Sequence, residues 1–304
     1  MNRDYEIQRL TVDLYNQTDQ NILAEASYDS LIPVLERASD YTAVVESATI
    51  DLSSMVLNPN PNFKILIFNN DKTGKYPGLP NINNFFTMDT PITEVEDLIL
   101  WLYNIMHKKA LPLDLGDFAV DAEGYFTFSL SDATAYTSGD IEVFFNTRLR
   151  EIFPEFLRDE NITVNGDVYY KLDASGVINP AQKQSKYTLS RLMTAVSIRF
   201  YTDMQTTSHL VHNPGLQTIS SEKIFATIAL NNETFDVLNK YNMVYSPQQY
   251  RHVTMNNDQE LRKFKLWVKI YYKGGTYQFH TMKPGDYSVI NIAFYPRGDV
   301  DSSK

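Results

Sequence analysis

The sequence contains no cysteine among its 304 residues. Disulfide bonds, thiolate metal sites, iron-sulfur clusters and cysteine nucleophiles are therefore all excluded. The first ten residues, MNRDYEIQRL, include no apolar run of signal-peptide length, and no later stretch reaches the roughly 18 apolar residues of a membrane span. We therefore expect a protein that is made and folded in the cytosol or nucleus and does not insert into a membrane.

Positive charge is also in short supply. The chain has 27 Lys and Arg against 37 Asp and Glu, a formal net charge of -10. Such an excess of negative charge repels nucleic-acid phosphates and anionic lipids. Free nucleic acid and membrane surfaces are therefore not expected as principal ligands.

Short catalytic motifs are missing as well. The chain has no G-x-S-x-G, no phosphate-cradling glycine loop and no H-E-x-x-H. His209 and His212 are close together, but no flanking carboxylate completes a metal-ligand set. Asp117, Asp121 and Glu123 surround a predicted hairpin turn, where acidic residues are expected for conformational reasons alone. We predict no catalytic, cofactor-binding or metal-binding residues, with a carboxylate pair at that turn as the alternative.

Aromatic residues, in contrast, are abundant: 20 Tyr and 17 Phe, residue types that suit β-sheets and protein interfaces. Near the C-terminus they take part in a strand with period two, whose inward residues would be Phe264, Leu266, Val268, Ile270 and Tyr272. Gly274 and Gly275 predict a tight turn after this strand. The last strand, 287–294, is largely apolar on both faces, which predicts a position inside a sandwich or against a partner subunit.

Comparable runs predict further strands at 5–14, 41–52, 63–68, 168–172, 192–201, 224–230 and 250–254. A different pattern interrupts them at residue 92. Thr93 and Glu96 form a capping box before a helix, a hairpin follows around Asp121, and Asn146 caps a second short helix. We predict a single jelly-roll β-sandwich made of residues 1–91 and 166–304, with an α+β insertion domain at 92–165.

Three groups of segments resemble the penton, or minor capsid, proteins of virophages and of the related polinton (Maverick) elements, in particular the mavirus type. The first is SDYTAVVESATIDL, similar to an early jelly-roll strand. The second comprises ITEVEDLILWLYNIM, FAVDAEGYFTFSL and IEVFFNTRLREIF, similar to the insertion of that family. The third is FKLWVKIYYKGGTYQFHTMKPGDYSVINIAF, similar to its closing strands.

The resemblance implies a structural role in an icosahedral virion. Such proteins are single jelly rolls that form a homopentamer at each vertex, next to double-jelly-roll major capsid proteins. It further implies no enzymatic activity, synthesis in the host cytoplasm and location in the virion, and it indicates no particular host receptor. Two other classes stay open: a β-sandwich attachment or glycan-binding module that uses the long 69–91 segment and the insertion, and a jelly-roll hydrolase.

Arg297, Gly298 and Asp299 form an RGD tripeptide near the end of the chain. An exposed RGD in a flexible tail can bind integrins, but a tripeptide of such common residues also arises by chance. Related vertex proteins of adenoviruses use RGD in an inserted loop, whereas here it lies in a terminal tail. We therefore treat it as a chance match and assign it no ligand.

Overall fold

The computed structural model of the chain describes residues 6–20, 22–70, 84–109, 116–129, 141–173, 182–185, 192–206, 209–213, 218–230 and 242–297. The chain divides into two compact units. The first consists of Met1–Met55 and Ala195–Lys304, and the second, Val56–Thr194, lies between these two parts in sequence. Within the described ranges, no helix has both the length and the apolar character needed to cross a bilayer.

Strands dominate both units. In chain order they are β1 (Gln8–Tyr15), β2 (Ile22–Leu23), β3 (Glu25–Asp29), β4 (Tyr41–Ile50), β5 (Phe63–Asn69), β6 (Asn84–Met88), β7 (Asp117–Val120), β8 (Phe126–Ser129), β9 (Ile141–Asn146), β10 (Leu157–Val164), β11 (Asp167–Leu172), β12 (Gln182–Lys183), β13 (Ala195–Thr202), β14 (His209–Asn213), β15 (Thr218–Glu222), β16 (Ile224–Ala229), β17 (Met243–Tyr245), β18 (Val253–Thr254), β19 (Lys263–Tyr272), β20 (Tyr277–Phe279), β21 (Thr281–Met282) and β22 (Tyr287–Pro296).

Helices are short and lie mostly in the second unit. They are α1 (Val95–Tyr103), which continues into a π-helical turn (Asn104–Lys109), α2 (Thr147–Ile152), and two 3-10 turns, Ala38–Asp40 and Pro154–Phe156. Asn146 caps α2 as predicted, since its Oδ1 accepts a hydrogen bond from the Leu149 amide at 3.2 Å. This helix ends at Ile152, and after Phe153 the second 3-10 turn starts at Pro154.

The described part of the first unit contains two five-stranded antiparallel sheets and two smaller pairs of strands, β14-β15 and β2-β21. One five-stranded sheet has the order β1-β22-β4-β17, with β18 paired to the same strand β4, and the other has the order β16-β13-β19-β20, with β3 also paired to β19. Eight strands of these two sheets are, in chain order, β1, β3, β4, β13, β16, the interrupted strand β17 with β18, β19 and β22. When they are numbered from 1 to 8, the two sheets have the strand orders 1-8-3-6 and 2-7-4-5. This is the arrangement of a jelly roll, and the predicted fold class is confirmed.

Alternation of side chains explains the core of this unit. In the first sheet Ile292 lies between Leu10 of β1 and Val45 of β4. In the second sheet Val268 pairs with Phe200 in the same way. All of these residues except the half-buried Leu10 are buried. Because residues two apart point to one face of a strand, the predicted alternation along β19 correctly identified the side chains that face the core.

The second unit contains a five-stranded sheet, β10-β11-β9-β5-β6, and a three-stranded sheet, β12-β8-β7. Its core is rich in phenylalanine. Phe153, which follows α2, has its ring centroid 4.8 Å from that of Phe126 and 5.1 Å from that of Phe118. Phe145 of β9 and Phe156 lie about as close, at 6.1 and 6.0 Å. These rings join side chains of both sheets into one aromatic core.

The boundaries of the second unit differ from those predicted for the insertion. We placed the insertion at 92–165, whereas the compact unit runs from 56 to 194. β5, which we assigned to the jelly roll, belongs to the five-stranded sheet of this unit: it pairs with β9 from Ile65 opposite Phe145 to Asn69 opposite Ile141. Its predicted position in the middle of a sheet is confirmed, because β9 and β6 flank it.

The start of α1 is shifted by one residue from the prediction. We expected Thr93 and Glu96 to form the capping box, but the helix is preceded by Glu94, and Asp97 is the acidic partner. The Asp97 carboxylate accepts hydrogen bonds from the amides of Thr93 (2.8 Å) and Glu94 (3.0 Å), and from the Thr93 hydroxyl at 2.9 Å. Asp97 occupies the third position of the helix, from which a capping-box side chain reaches back to the amide before the helix, whereas Glu96 lies one residue too early.

Candidate functional site

The three acidic residues around the predicted hairpin turn contact two different basic side chains. Asp117 lies on β7 and its Oδ1 is 2.8 Å from Nε2 of His107. Asp121 and Glu123 both contact Lys183 on β12, with Nζ to carboxylate distances of 2.7 and 2.5 Å. The three acidic groups are therefore engaged by two different partners.

Electrostatics at this turn favour a structural role. Lys183 and the amides of Tyr125 and Glu123 hold the pKa of Asp121 below its usual value. The two carboxylates in turn raise the pKa of Lys183. A general acid for glycoside hydrolysis requires a raised carboxyl pKa. The pKa of Asp121 is lowered instead.

The two histidines considered as metal ligands lie on one strand. His209 and His212 both belong to β14, where they stand opposite Glu222 and Ile219 of β15. In the part of the chain described by the structure, no group of three or more His, Asp and Glu residues could hold a metal ion. For the RGD tripeptide, only Arg297 is described: its Nη2 donates to the Met255 carbonyl. Gly298 and Asp299 lie outside the described residues.

His280 is a buried titratable group that sequence inspection did not single out. Its Nε2 lies 2.7 Å from the carbonyl oxygen of Asp51, while its Nδ1 is buried without a hydrogen-bond partner. Burial lowers the pKa of His280, opposed by the Asp51 carbonyl and by the charge of Asp286. The ring is therefore held neutral, with Nε2 as the donor.

We expect this burial to make the fold acid-sensitive. Since the pKa of His280 is lower in the folded chain than the value of about 6.5 in the unfolded chain, the unfolded state binds more protons just below pH 6.5. The free energy of unfolding should therefore fall as the pH drops below about 6.5, by at most about 1.4 kcal/mol per pH unit from this group. Urea unfolding midpoints between pH 7.5 and 5 measure the effect. His280→Gln keeps a donor for the Asp51 carbonyl, and its free energy of unfolding should depend less on pH. If the native chain and this variant depend on pH equally, His280 is not the source of the acid sensitivity.

The outward surface of the first jelly-roll sheet carries several tyrosines and a set of side-chain hydrogen bonds. It is called here the tyrosine face, and its members are Arg9, Thr11, Asp13, Tyr15, Glu46, Ser47, Tyr250, Tyr287, Asn291 and Tyr295. Tyr15 and Tyr287 pair edge to face, with centroids 6.1 Å apart. The Tyr287 hydroxyl donates to Asp13 at 2.9 Å, which raises the pKa of this tyrosine and keeps its hydroxyl protonated.

Side-chain hydrogen bonds run across three strands of the tyrosine face. Thr11 donates to Asn291 Oδ1 at 2.8 Å, and Asn291 Nδ2 donates to Ser47 Oγ at 2.9 Å. Glu46 accepts from the Tyr295 hydroxyl at 2.9 Å and pairs with Arg9 at 3.1 Å. These cross-strand contacts order the side chains before any partner binds.

The tyrosine face corrects one prediction about β22. We expected both of its faces to be largely apolar, but the outward residues include exposed Tyr287 and half-buried Asn291. The strand alternates as predicted, and its outward side carries Asn291 and two tyrosines beside Val289 and Ala293. Tyrosine side chains suit a surface that can be exposed to water or buried against another protein, because the ring is apolar and the hydroxyl is polar.

The second sheet carries an aromatic cluster on its outward side. The Lys269 ammonium lies 4.4 Å from the ring centroid of Tyr201, 4.3 Å from that of Tyr277 and 5.3 Å from that of Phe279. Trp267 stacks on Tyr201 at 6.0 Å. The period of β19 already places Trp267 and Lys269 opposite the core residues, so the alternation contained the signal for this cluster, which sequence inspection missed.

Comparisons with known proteins identify the fold. No protein-family model matches the chain, and no curated protein sequence matches it. The crystal structure of selenomethionine-labelled mavirus penton protein matches with a TM-score of 0.67 and 12% identity, over 95% of this chain and 99% of that chain. A chain of the cryo-EM structure of the Sputnik virophage matches with a TM-score of 0.68 and 13% identity, over 96% and 99%. The expected likeness to virophage pentons is confirmed at the level of the fold.

Proposed function

We propose that the protein is a structural subunit of a viral capsid, and that five copies close the ring at a vertex of an icosahedral virion. The observation that carries this proposal is the likeness in fold over 95 to 96% of this chain and 99% of each compared chain. A jelly roll alone hosts many functions. A likeness that also spans the inserted residues is more specific, and we propose that Val56–Thr194 is the insertion domain of the capsid subunit.

Assembly into a ring makes a physical demand that the tyrosine face supports. A closed five-fold ring requires a heterologous contact, in which one surface of a subunit fits a different surface of the next. Interfaces are enriched in Tyr and depleted in unpaired charge. On the tyrosine face, Arg9 and Glu46 neutralise each other, and Asp13 accepts a hydrogen bond from Tyr287. We propose a double-jelly-roll major capsid protein as the second partner, location in the virion after synthesis in the host cytoplasm, and no cofactor.

The solution mass of the purified protein tests the ring. A pentamer has five times the chain mass of 35.0 kDa, about 175 kDa. We expect this mass in light scattering and a five-fold ring in negative-stain images, or incorporation at vertices when a double-jelly-roll capsid protein of the same virus is co-expressed. A chain that stays monomeric and also fails to join any shell would overturn the proposal.

We propose no enzymatic activity. Asp121 and Glu123 are engaged by Lys183, and the pKa of Asp121 is lowered. Asp121→Asn tests the alternative of a jelly-roll hydrolase: glycan turnover by the native protein that disappears in this variant would restore it.

A glycan-binding module is the second candidate. The observation that favours it is the pair of partly exposed rings on β20, Tyr277 and Phe279, whose centroids are 6.1 Å apart beside Lys269. Exposed aromatic rings can stack on the apolar faces of sugars. A glycan-array signal from the monomer, lost in Phe279→Ser, would favour attachment over a purely structural role.

A further inference from the structure

Among the described residues of the first unit, the two large apolar side chains with the highest exposed fractions are neighbours in the loop after β3. Leu31 is 93% exposed and Ile32 is 77% exposed. Single exposed apolar side chains are ordinary on protein surfaces. Two neighbours that project almost completely into solvent are unusual, and this pair is called the Leu31–Ile32 knob.

The loop that carries the knob is held at both ends. The Ser30 amide donates to the Arg262 carbonyl at 3.1 Å, and the Val34 amide donates to the Leu261 carbonyl at 2.9 Å. Inside the loop the Ile32 amide donates to Ser30 Oγ at 3.2 Å, and the Arg262 guanidinium donates to the Leu31 carbonyl. Because the backbone is fixed before any contact forms, a partner would pay little to order it.

Charged residues surround the knob in nearly balanced numbers. Residues 29–37 and 257–263 together contain four carboxylates and three cations, whereas the whole chain has an excess of ten negative charges. Three ion pairs account for six of these seven groups: Asp29 with Lys263 at 2.6 Å, Glu260 with Arg262 at 2.5 Å, and Asp258 with Arg37 at 3.3 Å. An apolar centre inside a rim of paired charges is the usual anatomy of a protein interface.

A membrane is a poorer occupant than a protein. Two apolar side chains provide much less apolar surface than a stable membrane anchor requires. The rim also lacks the excess of Lys and Arg that attracts anionic lipid headgroups.

We propose that the Leu31–Ile32 knob inserts into an apolar recess of a second copy of this chain, an inference that rests on the proposed ring. Among the described strands, β3 pairs only with β19, so β3 lies at the lateral edge of its sheet. The knob follows directly after this edge strand. Neighbours in a ring meet side by side, where a projection on one copy must fit the next. A second copy of this chain is strongly acidic, and a nearly neutral rim does not repel it.

The absence of cysteine makes the test specific, since Leu31→Cys creates the only thiol in the chain. We expect maleimide to react with this thiol at least about tenfold more slowly in the ring, or in the co-expressed shell, than in dilute dissociated subunits. The matched control is Leu100→Cys on α1 in the second unit, 59% exposed, which should react at similar rates in both states. The double variant Leu31→Ser with Ile32→Ser should raise the concentration for half-assembly by at least about tenfold.

The outcomes separate the inference from the function on which it rests. A ring that forms while the thiol at position 31 reacts freely would overturn the inference and leave the vertex function standing. Protection that an isolated ring lacks and that appears only after a different shell protein is added to it would also overturn the inference, because that protein would then be the occupant. Protection on phosphatidylcholine vesicles without a ring would overturn it in the same way. Failure of the native chain to form a ring or join a shell would overturn both.

Discussion

Replacement of Ile292 by Asp is expected to leave no soluble folded protein. Ile292 is fully buried on β22, between Leu10 and Val45 of the neighbouring strands. An ionised carboxylate buried among such side chains costs at least several kcal/mol, and loss of the isoleucine packing adds about 2 to 5 kcal/mol. The sum is comparable to the whole stability of a typical domain, about 5 to 15 kcal/mol. Soluble yield and far-ultraviolet circular dichroism measure the result.

The adjacent position supplies the matched control. Asn291 faces outward on the same strand, and in Asn291→Asp the new charge stays near solvent while the amide group that donates to Ser47 Oγ is lost. That loss should cost only about 1 kcal/mol, so this variant should fold. If Ile292→Asp folds as well as Asn291→Asp, the assignment of inward and outward sides on β22 is wrong.

Phe153→Ala is expected to lower the free energy of unfolding by about 3 to 5 kcal/mol. Phe153 is completely buried, and its ring is within about 6 Å of those of Phe118, Phe126, Phe145 and Phe156. The Phe153 ring contacts side chains from both sheets of the second unit. Its truncation to alanine leaves a cavity that the surrounding rigid rings fill poorly. Urea unfolding followed by circular dichroism checks the magnitude.

A second phenylalanine of the same unit controls for the loss of an aromatic ring. Phe85 lies on β6, is 46% exposed and meets Tyr169 only edge to face at 6.5 Å. Phe85→Ala should cost about 1 kcal/mol, because much of its surface already contacts water. Equal destabilisation by the two variants would mean that Phe153 is not the centre of the core.

Long strands with regular alternation were predictable from the sequence. β4, β19 and β22 each have ten residues, and each had been predicted close to its observed position. The hairpin turn at Gly274 and Gly275 was also predicted, and both residues have positive φ angles, 89° and 84°, which glycine adopts without strain. These features depend on neighbours in the chain, and local residues therefore determine them.

Short strands were missed because other strands create them. β3 has the sequence EASYD, in which the alternation of Ala26 and Tyr28 with polar residues is too short to predict a strand, and it pairs with β19 from Trp267 to Lys263. β17 has three residues, MVY, and extends along β4. Each of these segments is short, and each pairs with a strand far away in sequence. No local pattern could predict them.

The candidate functional residues divide in the same way. The sequence by itself determined the absence of cysteine chemistry, the acidic character, the strand periods and the jelly-roll class. Only the tertiary structure decided that Lys183 engages Asp121 and Glu123, that Val56–Thr194 forms one compact unit, and that Leu31 and Ile32 project into solvent. The physical reason is that backbone period is a property of consecutive residues, whereas ion pairing, sheet order and burial are set by segments that meet only after folding.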